Sequence, residues 1–248
     1  MFDSLQKIKI NWKIIIFWIG ILIFDDFIFT PLSVMLHLRG SYWLLGVYFK
    51  LAELLCAVVL NTLLLHQKVH LRTRIGKNSV MLFWAMGAIL LLTLTSLNGN
   101  VKTALIVGTI ASIPEEYIFR SVILGSLLSG ISHVRAVKPV LIQIAVSSLL
   151  FSLYHLGNVR FDGLPGTLLQ MIQVLGLGFL LGCLYVKKGS LIFPLIVHFF
   201  LDYIVTIIGK GVVAPSVSQL TIFSLGSALF IMCVYVMVGL ILLDIHNY

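Results

Sequence analysis

The sequence predicts an all-α, polytopic membrane bundle of about eight spanning helices, and three observations carry that prediction. First, 60% of the 248 residues are hydrophobic and only 10% are charged, with a mean hydropathy of +1.09. A soluble domain of this size has no use for so much apolar surface. Second, the apolar runs have helical length and lack the period-two alternation of barrel strands. Third, the basic residues gather in short loops, and their bias between alternate loops agrees with the span count.

Eight apolar segments follow in order, at about 14–37, 42–65, 80–97, 101–128, 139–156, 166–186, 190–208 and 219–243. Each approaches the ~20 residues needed to cross a bilayer. Segments 80–97 and 139–156 are short, and 101–128 is long. No loop is long enough for a second domain, so residues 1–248 read as one integral membrane domain. The first segment follows Lys7, Lys9 and Lys13 and is interrupted by Asp25-Asp26. With no small-residue cleavage site behind it, it is expected to be retained as a helix. Eleven lysines and arginines then lie on one side, in the N-terminal stretch and the second–third, fourth–fifth and sixth–seventh loops, against four on the other. The richer side is expected to be cytoplasmic, with both termini inside. The net charge of +8 therefore serves orientation and headgroup contact, not nucleic acid. Cys56, Cys183 and Cys233 lie within apolar runs without paired spacing, and read as inert buried thiols.

The charged residues inside the spans are the informative ones, because an ionisable group in lipid is costly. Pro114-Glu115-Glu116-Tyr117-Ile118-Phe119-Arg120 puts three charges into the fourth segment, just after a proline that should kink it. Glu116 and Arg120 are i,i+4, acid first, and can neutralise each other. Glu115 lies ~100° round the helix without such a partner. It must find company on another helix or hold a proton. His155 ends the fifth segment, in Phe151-Ser152-Leu153-Tyr154-His155. His198 and Asp202 are i,i+4 in the seventh. Together these groups resemble a general base, an imidazole partner and a polar pair for a developing oxyanion. The bland reading of the same residues is a structural ion network. Lys50 and Glu53 are i,i+3 in the second segment. By depth count along antiparallel helices, Lys50 is expected to pair with Asp25 or Asp26. Gly178 and Gly182 form a small-xxx-small pattern expected to serve packing.

In this order, Glu115-Glu116-x-x-x-Arg120, Phe151-x-x-x-His155 and His198-x-x-x-Asp202 resemble the CPBP family of CAAX proteases and bacteriocin-processing (Abi) enzymes. The run Gly182-x-Leu184-Tyr185-x-Lys187-x-Gly189-Ser190-Leu191 leading to Pro194 is similar to that family as well. The likeness covers a motif-bearing core of about residues 101–208. It implies an intramembrane endopeptidase of the bacterial plasma membrane, acting on a membrane-associated or leader-bearing peptide or small membrane protein at the bilayer. The pathways it implies are bacteriocin maturation, self-immunity and peptide-pheromone processing. By that resemblance Glu115 and His155 activate water, His198 and Asp202 flank the oxyanion, and Glu116 and Arg120 support Glu115. Two positions depart from the pattern: Ser121 stands where glycine is usual, and Asp202 where asparagine is frequent. Asp202 donates a hydrogen bond only when protonated. No cofactor is favoured, since a carboxylate–imidazole pair can activate water alone. The alternative is Zn2+ on Glu115, His155 and His198, although there is no His-Glu-x-x-His.

Two other functions compete. One is a non-catalytic immunity or regulatory membrane protein that binds a peptide or a sensor kinase through the same cavity. The other is a small transporter using Asp25-Asp26, for which no paired broken helices speak. The serine and aspartyl intramembrane signatures Gly-x-Ser-Gly and Gly-x-Gly-Asp are absent.

Overall fold

A computed structural model describes residues 11–37, 42–72, 76, 84, 86–88, 91, 101–130, 137–208 and 220–243. Among the described residues all regular structure is helical, without a strand. Helix α1 is Trp12–Met35. Helix α2, Tyr42–Leu60, continues through a π-helical stretch, Asn61–Leu65. Helix α3 runs Val101–Glu116, then π-helical Tyr117–Leu124, then Gly125–Ser129. Helix α4, Val137–Tyr154, ends in a 3-10 turn, His155–Asn158. Helices α5, α6 and α7 are Val159–Lys188, Ile192–Ile208 and Ile222–Leu243. Between α2 and α3, residues 84, 86–88 and 91 are helical, and the rest of the expected third segment lies outside the described residues. The expectation of about eight helices is met.

By length and composition five of these helices can cross a membrane: α1, α2, α4, α5 and α7. Helix α6 is shorter, and α3 carries the three buried charges. The protein is a multi-pass membrane protein. Its outward surface carries Phe27, Leu55, Ile208, Ile222, Phe223 and Ile241, the apolar coat that lipid requires. Glu53, Glu115, Glu116, Arg120 and His198 turn inward.

Helix order sets the site. Helix α3 packs on α2 and α6, α5 packs on α4 and α7, and α2 packs on α1. The α3–α6 approach depends on Gly108, where an added Cβ would lie 2.8 Å from the Phe199 carbonyl oxygen. The glycine pair packs as expected: Cβ atoms at Gly178 and Gly182 would meet Ser148 and Ile144 of α4 at 3.1 and 2.8 Å.

In three helices regularity fails next to a proline. In α1 the π-helical stretch Asp25–Phe29 precedes Pro31. In α3 Pro114 removes one N–H, and the π-helical stretch begins three residues later. In α5 the backbone at Gly163 is non-helical, with φ 68° and ψ 167°, two residues before Pro165. Only glycine takes that conformation without strain.

Candidate active site

Helix α3 delivers two adjacent carboxylates into the interior on different neighbours. Glu116 is fully buried and Arg120 is 1% exposed, so neither charge has water to rely on. They meet as the i,i+4 spacing predicts, Arg120 Nη1 lying 3.0 Å from Glu116 Oε1. The same oxygen is 2.7 Å from His198 Nδ1 on α6. Glu116 is therefore the joint between α3 and α6, a role its spacing to Arg120 did not reveal. Its second oxygen is buried without a hydrogen-bond partner. Arg120 is covered on another side by the Phe151 ring, 4.5 Å from its guanidinium carbon.

Glu115 faces the other way and is not left alone. Lys50 Nζ of α2 lies 2.8 Å from Glu115 Oε1 and 3.0 Å from Glu53 Oε2. The expected pairing of Lys50 with Asp25 or Asp26 is thus wrong, whereas Glu115, without a partner on its own helix, finds its company on another helix, in Lys50 of α2. Depth along an axis says nothing about which way a side chain points round it. Gly46, one turn before Lys50, faces Ile110 of α3 at 3.6 Å, so that stripe of α2 looks toward α3 and away from α1. Asp26 pairs instead with Arg160, in the first turn of α5.

His155 and His198 converge on one aromatic floor. The Phe151 ring is edge-on to His155 at 4.9 Å and to His198 at 6.1 Å between centroids. His155 Nδ1 lies 2.9 Å from the Phe151 carbonyl oxygen. A carbonyl only accepts, so Nδ1 carries the hydrogen and Nε2 keeps a lone pair when the ring is neutral. His198 Nδ1 donates likewise to Glu116. Its Nε2 faces Asp202 Oδ2 at 3.4 Å and Glu115 Oε2 at 3.8 Å. Glu115 thus lies between Lys50 of α2 and His198 of α6.

Hydrogen bonds between helices hold this geometry. Ser147 of α4 donates to the Phe119 carbonyl oxygen in the π-helical part of α3, at 2.8 Å. Ser152 donates to the Met171 carbonyl oxygen at 2.8 Å, and Asn158 to the Gln170 side chain at 2.9 Å. These two fix the His155 turn against α5. The Asp26–Arg160 pair sets that turn level with the middle of α1, so the chain after His155 does not continue outward as a straight helix.

The zinc alternative asks Glu115, His155 and His198 to share an ion. An ammonium already sits on Glu115, and a divalent cation beside it would meet like charge. Among the described residues no group of three His, Cys, Asp or Glu side chains has a metal-holding arrangement. In this arrangement the donor set does not fit zinc. The thiols are remote from the question: Cys56 and Cys183 are buried as expected, whereas Cys233 is exposed on α7.

In a comparison with known families, residues 97–204 match a model described as Rce1-like, type II CAAX prenyl endopeptidase. Comparisons with curated proteins and with solved structures gave no match. The matched segment holds Glu115, Glu116, Arg120, His155 and His198, together with Asp202. It leaves out Asp26, Lys50 and Glu53.

Proposed function

Since residues 97–204 belong to the Rce1-like family of type II CAAX prenyl endopeptidases, within the CPBP proteases, we propose that this protein is a metal-free intramembrane endopeptidase that cleaves a peptide presented at the bilayer. The observation that supports it most is the pair of imidazoles. Both have Nδ1 tied to an acceptor, both lie edge-on to the Phe151 ring, and His198 Nε2 faces Glu115 Oε2 at 3.8 Å. A purely structural ion network has no need for two such oriented rings.

The chemistry follows from the atoms that face each other. A water between Glu115 and His155 gives a proton to Glu115 as its oxygen bonds to the scissile carbonyl carbon. The carbonyl π electrons move to oxygen. His198 acts as an imidazolium among Glu115, Glu116 and Asp202; anchored through Nδ1–H on Glu116, it donates Nε2–H to that oxyanion, and Asp202 joins it as a donor when protonated. The gap of 3.8 Å between His198 Nε2 and Glu115 Oε2 is too long for a direct hydrogen bond. An oxygen placed to the side can reach both at about 2.8 Å. Collapse of the tetrahedral intermediate breaks the C–N bond, and the proton on Glu115 passes to the leaving amine. The products are a new carboxylate and a new amine. The substrate class is a leader-bearing or membrane-associated peptide, in keeping with bacteriocin maturation, self-immunity or pheromone processing.

The test uses the full-length protein in proteoliposomes, with internally quenched peptides that are either prenylated near the C-terminus or carry a bacteriocin-type leader. Glu115→Gln is nearly isosteric and should lower kcat by about a hundred- to ten-thousandfold, with folding retained. Chelator should leave cleavage by the unsubstituted protein intact. Activity lost to chelator and restored by Zn2+ overturns the metal-free mechanism. Unchanged activity in Glu115→Gln overturns the assignment of the base.

A further inference from the structure

We propose that Lys50 is a positioning residue for Glu115, held in place by Glu53, so that α2 completes an active site whose other parts lie in the matched segment. The inference rests on the endopeptidase reading above. It starts from an unusual placement, because a lysine in a membrane span needs a strong local reason.

The geometry supplies one. Lys50 Nζ bridges Glu53 Oε2 at 3.0 Å and Glu115 Oε1 at 2.8 Å, and the Tyr154 ring lies 5.5 Å from it, immediately before His155. Glu53 is buried on the same helix, at i,i+3, and fixes the direction of the long lysine side chain. Lys50 therefore grips one oxygen of Glu115. The other oxygen, Oε2, is turned toward His198 Nε2 of α6, which also faces Asp202. A carboxylate held at one oxygen presents the second in a fixed direction, which is the orientation a base needs when it takes a proton from bound water. The groups around this carboxylate are thus Lys50 and Glu53 from α2, His155 from the turn after α4, and His198 and Asp202 from α6. On its own helix they are Glu116 and Arg120.

Replacing Lys50 alone would strand two buried acids, so the informative variant removes one charge of each sign, Lys50→Met with Glu53→Gln. In proteoliposomes with the quenched peptide, kcat should fall by about a hundredfold, with KM and melting unchanged. A lysine analogue should restore it. In a chain whose Cys56, Cys183 and Cys233 are replaced by alanine, Lys50→Cys should be inactive until aminoethylated with 2-bromoethylamine, and active afterwards. A second readout needs no cleavage. Dicyclohexylcarbodiimide attacks protonated carboxyls in apolar surroundings. Mass spectrometry should find Glu115 labelled in the Lys50→Met/Glu53→Gln protein and unlabelled in the parent. Full kcat in that variant, or equal labelling of Glu115 in both proteins, overturns the proposal. No cleavage of any of these peptides by the parent protein sinks the endopeptidase reading instead, and the labelling still decides whether Lys50 governs that carboxyl.

Discussion

Adjacent glutamates divide the work at the residue scale, and the division is sharper than their spacing alone suggests. Helical spacing gives Glu116 to Arg120, and the distance of 3.0 Å agrees. It does not give His198, whose Nδ1 takes the same Glu116 oxygen at 2.7 Å, because nothing in a linear sequence states which faces of α3 and α6 meet. The consequence is testable. Glu116→Gln leaves the fully buried Arg120 without its acid, which should cost about 3 kcal/mol of stability. It also weakens the acceptor that orients His198. Glu116→Gln with Arg120→Met removes the stranded charge, so melting should return toward the parent value while cleavage stays low. If the double variant recovers activity along with stability, Glu116 acts only as the partner of Arg120 and the anchor on His198 carries no functional weight. His155 was legible as an isolated signal, but its tautomer was not, since that depends on the Phe151 carbonyl one turn earlier.

Elements bring these residues together through close approaches that glycine permits. Among the described residues most helix ends were readable from hydropathy to within a few residues, although the helix expected at 166–186 begins at Val159. The fourth segment, expected at 101–128, is observed as helix from Val101 to Ser129. What hydropathy could not supply was rotation about each axis, and the misassigned Lys50 shows the cost. A glycine carries part of that missing information. Gly46 marks the stripe of α2 that faces α3, and Gly108 marks the stripe of α3 that faces α6. The two differ in tightness, and this gives a controlled comparison. A methyl group at Gly108 would lie 2.8 Å from the Phe199 backbone oxygen, which cannot swing aside, whereas one at Gly46 would meet the tip of Ile110 at 3.6 Å. Gly108→Ala should therefore cost about 1–3 kcal/mol and part α3 from α6, lengthening the Glu116–His198 contact and lowering cleavage. Gly46→Ala should melt and cleave like the parent. Thermal unfolding in one detergent, beside the peptide assay, reads both. Equal behaviour of the two variants would show that α3 and α6 have slack at this contact.

Across the whole molecule, charge is concentrated. The chain has nine carboxyls, and four of them, Glu53, Glu115, Glu116 and Asp202, gather at one site with Lys50, Arg120 and two histidines. That concentration was partly visible beforehand, because charged residues in spans are few and each asks for a partner. The remaining basic residues lie in loops or near helix ends and bear on orientation. Here the fold adds an independent observation. Leu191 N–H donates to the His70 carbonyl oxygen at 2.7 Å, and Ser190 Oγ to that of Leu71 at 3.1 Å. The segment after α2 thus lies against the turn between α5 and α6, two loops that the basic-residue count assigns to the same side. Lys102 begins α3, while the far end of that helix carries Gly125, which sits against Gln67 of the strapped segment. If the basic side is cytoplasmic, single cysteines should report it in a chain with Cys56, Cys183 and Cys233 replaced by alanine. In right-side-out vesicles a membrane-impermeant maleimide should label Lys102→Cys at once. Lys68→Cys, exposed on the strapped segment, should be labelled only after permeabilisation. The reverse pattern would invert the whole bundle and present the site to peptides from the opposite face. Labelling of both from outside would break the alternation of loops on which the eight-helix count rests.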